Sequence, residues 1–254
     1  MNLQRLVPTA LLGLALALAA CAADPAALIA QCDEACTRYD LAKSQELAAQ
    51  ALKAAPGDFE ALWRLVRGQV DLGEEAQDKG QDKQAELWFN KALATSQDLA
   101  AKHPGKSMSH YYRALALGRR RGPAGGKEKV QLAQQIEKAA LKALELDPRN
   151  GKAHGLIGRY YREMAHLGWV QRKAAETLFG ELPKGGDEKA LSHLRKATEL
   201  EPAWIFGWFE LAETLEVMGH KDEARKVYHK AAGMPRTDHR DPVLKAEAAK
   251  RQNG

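Results

Sequence analysis

Glu163 and His166 stand three residues apart. On a helix this spacing offers a carboxylate and an imidazole to one metal ion, as in the di-metal carboxylate bundles. Such a site needs a second Glu-x-x-His pair and further inward carboxylates, and each of the other seven histidines lacks a glutamate three residues before it. A surface or packing role is therefore expected of the pair. The sequence contains no H-E-x-x-H and no G-x-S-x-G. Gly122–Gly126, GPAGG, lacks the Lys-Ser/Thr ending of a phosphate-binding loop and reads as a turn. No catalytic residue, metal site or cofactor is expected.

The cysteines fall into two groups. Residues 1–21 read MNLQRLVPTALLGLALALAAC: a basic residue, Arg5, then an apolar run from Leu6 to Ala20. The run is short for a membrane span, which needs roughly 20 apolar residues, and fits the core of a cleaved secretory signal. Its end, Leu18-Ala19-Ala20-Cys21, resembles the lipobox of bacterial lipoproteins. That resemblance implies a signal peptide over 1–20, acylation of Cys21 and a short tether over 21–25. More than one acyl chain suffices for stable anchoring. Ala22, where Asp would favour retention at the inner membrane, points to the periplasmic side of the outer membrane. Cys32 and Cys36 lie four apart. An exported chain meets an oxidising compartment, so a disulfide is permitted. A bridge within one regular helix strains the preferred geometry, and two reduced thiols packed as small apolar groups are the alternative.

These residues depend on the elements that carry them. The chain has 254 residues, rich in Ala, Leu, Lys and Glu, a composition that favours helix. Charged residues make up 28% with a net charge of +5. That balance, spread over a large surface, does not suggest nucleic acid. The dense basic run Arg119-Arg120-Arg121 is expected at a helix end, complementing the helix dipole and facing water.

Small residues, large residues and prolines recur at fixed offsets. Trp208, Leu211, Ala212 and Leu215, a turn at Gly219, then Ala224, Tyr228, Ala231 and Pro235 form the clearest unit. Before it come His154, Ile157, Gly158 and Tyr161, answered by Ala190, Leu194, Ala197 and Pro202. Earlier second helices carry Ile136, Ala140, Ala143 and Pro148, and Ser44, Ala48, Ala51 and Pro56. Between these, Leu62, Leu65 and Val66 open a hairpin that Ala85, Phe89 and Ala92 complete. This is the offset pattern of the tetratricopeptide repeat (TPR). It predicts an all-α, right-handed solenoid of antiparallel helical hairpins over residues 26–251. His154 takes the packing position usually held by Trp. Polar inserts are expected at 72–83 and 119–128, and a larger one at 164–189 with its own helix, Val170 to Phe179. The polar segment 241–251 reads as a solubilising end cap.

In such a solenoid the first helix of each hairpin lines the concave side. The repeat frames place Trp63, Arg67, Lys152, Arg159, Phe206, Phe209 and Glu213 there, with Arg162 and Glu216 one turn on and Tyr112 beside them. Aromatic and arginine side chains are the usual anchors of interfaces. The competing reading is that Arg159 and Arg162 pair with Glu163, Glu213 or Glu216 inside the stack.

From His154 onward the sequence resembles the regulator of microtubule dynamics family. The resemblance rests on Gly158-Arg159-Tyr160-Tyr161, on Trp169 with Lys173 and Ala174, on Leu178-Phe179-Gly180 and on the helix from Glu188 to Leu200. It extends loosely over about residues 40–235. It implies an all-helical interaction protein and brings no catalytic residues. Eukaryotic members associate with microtubules and organelle membranes; an exported bacterial chain faces no microtubules, so that activity is not expected here. The leading expectation is a membrane-tethered adaptor whose groove binds an envelope protein or peptide. The alternative is a small-ligand receptor or transporter accessory whose groove is closed by the 164–189 insert. An enzyme using Glu163 and His166 is the weakest reading.

Overall fold

Proline placement cuts the chain into hairpins. Pro56, Pro104, Pro148 and Pro202 each follow a helix by two residues, where proline cannot continue the helix. The computed structural model describes residues 24–120 and 126–252, and all regular secondary structure among them is helical. The order is α1 (Pro25–Thr37), α2 (Leu41–Ala54), α3 (Phe59–Asp78), α4 (Asp82–Lys102), α5 (Ser107–Arg120), α6 (Gly126–Leu146), α7 (Gly151–Ala165), α8 (Trp169–Phe179), α9 (Asp187–Leu200), α10 (Ile205–Val217), α11 (Lys221–Gly233) and α12 (Asp241–Arg251). Neighbours pack as the hairpins α1/α2, α3/α4, α5/α6, α7/α9 and α10/α11, with α8 inserted in the fourth and α12 laid on α10 and α11. Residues 1–23, and with them the signal and Cys21, lie outside the described residues, as does most of the Gly122–Gly126 turn.

Side-chain caps set several starts. Asp40, Asp58 and Asn150 accept hydrogen bonds from the backbone N–H of Lys43, Ala61 and Ala153, satisfying donors that the first turn leaves free. The repeat's large residues fill the space between hairpins: Leu62, Ile157, Leu194 and Leu215 are fully buried. Each such burial contributes roughly 1.5–3 kcal/mol. Small residues permit the close approach. A Cβ on Gly158 would lie 2.7 Å from Leu194 Cγ and 3.1 Å from the Ala190 carbonyl.

One bond repeats along the stack. His110 and His154, through Nε2, meet the carbonyls of Pro104 and Pro148 at 2.7 and 3.0 Å, and Trp208 Nε1 donates to the Pro202 carbonyl at 3.0 Å. In each case a ring six residues after the proline ties the start of the hairpin to the preceding turn. His154 therefore does the work of the repeat tryptophan, and it also meets His193, Nδ1 to Nδ1, at 2.8 Å.

Three expectations need correction. The extra residues at 72–83 do not form a separate segment: they lengthen the hairpin itself, α3 running to Asp78 and α4 beginning at Asp82, 20 and 21 residues against 13 each for α10 and α11. The helix passes through Gly73 because that site faces the Phe89 ring, where a Cβ would come within 2.4 Å. Arg119 and Arg120 do not face open water. They are 20% and 19% exposed and pair with Glu74 and Glu128, because α5 ends against α3 rather than in solvent. Finally, residues 241–251 form the expected helix, but its first residue, Asp241, is fully buried, and the loop before it reaches back to α3.

Candidate functional site: a concave cavity

The first helices of successive hairpins, α3, α5, α7 and the start of α10, wall a cavity of about 190 Å³. Arg67, Asp71 and Glu74 come from α3, Tyr112 and Arg119 from α5, Lys152 and Arg159 from α7, with Trp204 and Phe206 beside them. The fourth side is Asp238, Arg240, Asp241 and Leu244, from the α11–α12 loop and α12. That loop, not the 164–189 insert, bounds the groove on this side. The insert packs on α6 through α8 and leaves Trp169, Val170 and Leu178 each about 70% exposed.

The sequence-predicted groove residues divide into two sets. Arg67, Tyr112, Arg159 and Phe206 line the cavity. Tyr112 is 3% exposed and stacks on Trp63 at 5.8 Å and 16°. Burial first, with Asp71 and Cys36 adding to it, keeps its phenol neutral by pushing its pKa up against the pull of Arg67. Trp63 lies behind it, flanked by Arg64 and Arg67 at 4.1 and 5.2 Å from its ring and donating to Glu60. Arg159 pairs with Glu163 at 2.8 Å and Glu210 at 3.4 Å, and rests 5.7 Å from the Phe206 ring.

Arg162, Phe209 and Glu213 stand in the stack itself. Arg162 donates to Glu210 and Glu213 at 2.6 and 2.7 Å and to the Glu210 carbonyl at 2.9 Å. Phe209 is 7% exposed and packs edge-on against Tyr228. Glu213 also meets Arg251 at 3.5 Å. Burial, then the neighbouring Glu210, raises its pKa.

Of the cysteines and the Glu163–His166 pair, Glu163 alone lines the cavity. Cys32 and Cys36 are free thiols on α1. Cys32 is fully buried with Sγ 3.4 Å from Ser44 Oγ. His166 Nε2 turns to Asp187 at 3.0 Å while Glu163 takes Arg159.

Sequence reasoning missed the acidic side of the cavity and the loop that meets it. Asp71, Glu74 and Asp78 form an i, i+3, i+7 stripe on α3, a spacing that was visible in the sequence. Opposite it, His239 lies 3.4 Å from Glu74 and 4.0 Å from Asp71, and Arg240 lies 3.2 Å from Asp78. Asp71, Glu74 and His239 bring potential metal-ligating atoms within 4.8 Å of one another. The ring, however, turns Nε2 to Glu74 and Nδ1 to Asp71 and Asp238, as an imidazolium between carboxylates does. Glu74 is already held by Arg119 and Arg240. The cluster reads as an ion-pair network. Arg67, Arg119 and Arg240 each keep a buried Nε–H without an acceptor, and Asp241 Oδ1 is buried without a donor. Such groups cost free energy when left unpaired, and all four residues line the cavity.

A profile of the family described as regulator of microtubule dynamics protein 1-3 matches residues 28–253. The chain belongs to this family. It is 28% identical over 198 residues to mouse regulator of microtubule dynamics protein 1, covering 78% of this chain and 64% of that protein. It is 26% identical over 187 residues to rat regulator of microtubule dynamics protein 3, covering 73% of this chain but 39% of that one. The chain thus spans between about two fifths and two thirds of these relatives. Among solved structures, a thermophilic TPR protein from Thermus thermophilus superposes with a TM-score of 0.64 at 23% identity, covering 89% of this chain and 99% of that one. That likeness shows the fold: a TPR-like stack of helical hairpins.

Proposed function

We propose that this family member is a cell-envelope adaptor that binds a partner protein through its concave cavity. The observation that carries the reading is the set of unpaired Nε–H donors of Arg67, Arg119 and Arg240 in a cavity that Tyr112, Trp204 and Phe206 also line. Arginine donors suit carboxylates and the aromatic rings suit an apolar neighbour. The partner's bound segment is accordingly an acidic or C-terminal carboxylate with an adjacent apolar residue. No residue is assigned a catalytic role. The lipobox-like Leu18-Ala19-Ala20-Cys21 supports a lipid tether on the periplasmic side, with Ala22 favouring the outer membrane. Nucleic acid is not a partner in this reading.

A second reading, the small-ligand receptor, is favoured by the loop that narrows the groove to a cavity of about 190 Å³. That volume is below the roughly 300–1,000 Å³ of drug-sized ligand pockets, so the ligand in this reading is small.

Capture of envelope proteins on the mature chain, followed by peptide scanning of what is captured, tests the adaptor reading. The bound segment is expected to be acidic, and amidating its carboxylates should weaken it at least about tenfold, the loss of one charge-assisted bond. Equal binding of the amidated segment contradicts the reading.

A further inference from the structure

The two ends of the solenoid meet through a seam unlike the joints between hairpins. Neighbouring hairpins bury Leu, Ile and Ala against each other. At the seam, Arg236 sits 3.5 Å from the centroid of the Tyr39 ring, and Tyr39 Oη donates to the Arg236 carbonyl at 3.3 Å. His239 lies against Glu74 and Asp71, and Arg240 against Asp78 and Glu74. Tyr39 holds its ring there from a left-handed backbone, φ 60°, a conformation that costs a non-glycine residue free energy and persists where the surroundings fix it. The loop is also pre-shaped: Asp241 Oδ2 accepts from the N–H of Thr237 and of Asp238, both at 2.7 Å. α12 itself packs on α10 and α11. The contact across the ring is therefore ionic, and it lies over the cavity.

We propose that residues 236–241 form a detachable electrostatic clasp that shuts the ends of the solenoid over the cavity and admits the ligand when its ion pairs are released. The gating part rests on the reading of the cavity as the binding site; the clasp itself does not.

The direction of its response follows from the groups that face it. These are Arg67, Asp71 and Glu74 of α3, Arg119 of α5, Lys152 of α7, Cys36 of α1, and Asp238 and Arg240 of the loop. Burial opposes the charge on His239, but the carboxylates of Asp238, 3.0 Å from Nδ1, and Glu74, 3.4 Å from Nε2, outweigh it and push the imidazole from 6.5 up to about 10. Burial pushes Asp71 from 3.8 up to about 7. Burial also raises the Cys36 thiol, which stays neutral. Despite burial, Arg119 and His239 hold Glu74 below its ordinary value, and His239 draws Asp238 down to about 2. Both carboxylates thus stay ionised above about pH 5, closed or open. Between about pH 5 and 10, closing only takes up protons. Alkaline solution therefore opens the clasp, by about tenfold in the open-to-closed ratio per pH unit for each proton taken up. Added salt acts in the same direction.

The test is a distance distribution between spin labels at Lys83→Cys and Lys250→Cys, in the mature chain with Cys21→Ala, Cys32→Ala and Cys36→Ala. One short distance is expected at pH 6.5, with a longer population growing from pH 8 to 10. His239→Gln should show the longer population already at pH 7, and His239→Lys, which keeps a cation, should restore the short distance at pH 9. A distance that is the same in all three chains from pH 6.5 to 10 and in 1 M salt overturns the clasp. Entry of 8-anilinonaphthalene-1-sulfonate, an apolar anion, is followed in parallel and should quicken with the open population. Opening without faster dye entry keeps the clasp and overturns the cavity as the ligand's route.

Discussion

Arg162 on α7 donates to Glu210 on α10 at 2.6 Å, with the guanidinium 11% and the carboxylate 4% exposed. The pair joins the fourth hairpin to the fifth. A second bond from Arg162 to the Glu210 carbonyl and another to Thr214 complete the arginine's partners there. With the bond to Glu213 at 2.7 Å, both terminal nitrogens of Arg162 are engaged in holding the stack together.

Removing Arg162 should therefore act on stability before binding. Breaking a buried pair by deleting one partner typically costs about 3–5 kcal/mol. Arg162→Ala should lower the denaturant midpoint by a corresponding amount, measured by the helical signal in urea. Arg159, at 36% exposure, should matter less for stability. A midpoint within error of wild type for Arg162→Ala would show that the pair contributes nothing.

The His154–His193 contact predicts a weakness in acid. Burial, then His154 and Lys189, lower the His193 pKa from 6.5 to about 4. The folded state thus binds this proton less readily than the unfolded state. Its contribution is fully present above about pH 6.5 and is lost as pH falls towards 4. Imidazole resonances should show His193 neutral at pH 5.5, and His193→Asn should flatten the stability profile between pH 6.5 and 4. A His193 midpoint near 6.5 would contradict this.

The tether is tested by Cys21→Ala. Wild type should carry acyl mass and sediment with membranes; the variant should do neither. Identical fractionation without acyl mass would remove the lipid anchor and the outer-membrane placement with it.

The repeat fold was legible because it is written locally. Proline stops, alanine pairs and the ring at His154 or Trp208 each act within seven residues of one another, and the structure keeps the rings and prolines in register. The cavity wall was half legible. Arg67, Tyr112, Arg159 and Phe206 follow from the repeat frame, but whether an arginine faces a ligand or a neighbouring carboxylate depends on contacts such as Arg162 to Glu210, 48 residues away. The clasp was illegible for the same reason. Tyr39 and Arg236 are 197 residues apart, and nothing in the local pattern of Arg236-Thr237-Asp238-His239-Arg240-Asp241 names the helix that it meets. The run at 72–83 reads as a polar insert because Glu74, Glu75 and Asp78 are charged. The charge of Glu74 and Asp78 serves the seam, where they meet Arg119 and Arg240.

The most direct test of the central claim fills the cavity without disturbing the stack. Gly118 lines it, and a Cβ there would meet nothing within 4 Å. Gly118 also sits inside α5, where replacing glycine by phenylalanine favours the helix by roughly 0.3–0.5 kcal/mol. Gly118→Phe should therefore melt at or above the wild-type temperature while its ring occupies the cavity. Affinity for the captured envelope partner, measured by titration calorimetry for wild type and Gly118→Phe at equal folded concentration, decides the matter. The account predicts a loss of at least about tenfold, or roughly 1.4 kcal/mol. Unchanged affinity in a variant that remains fully folded would place the binding site elsewhere.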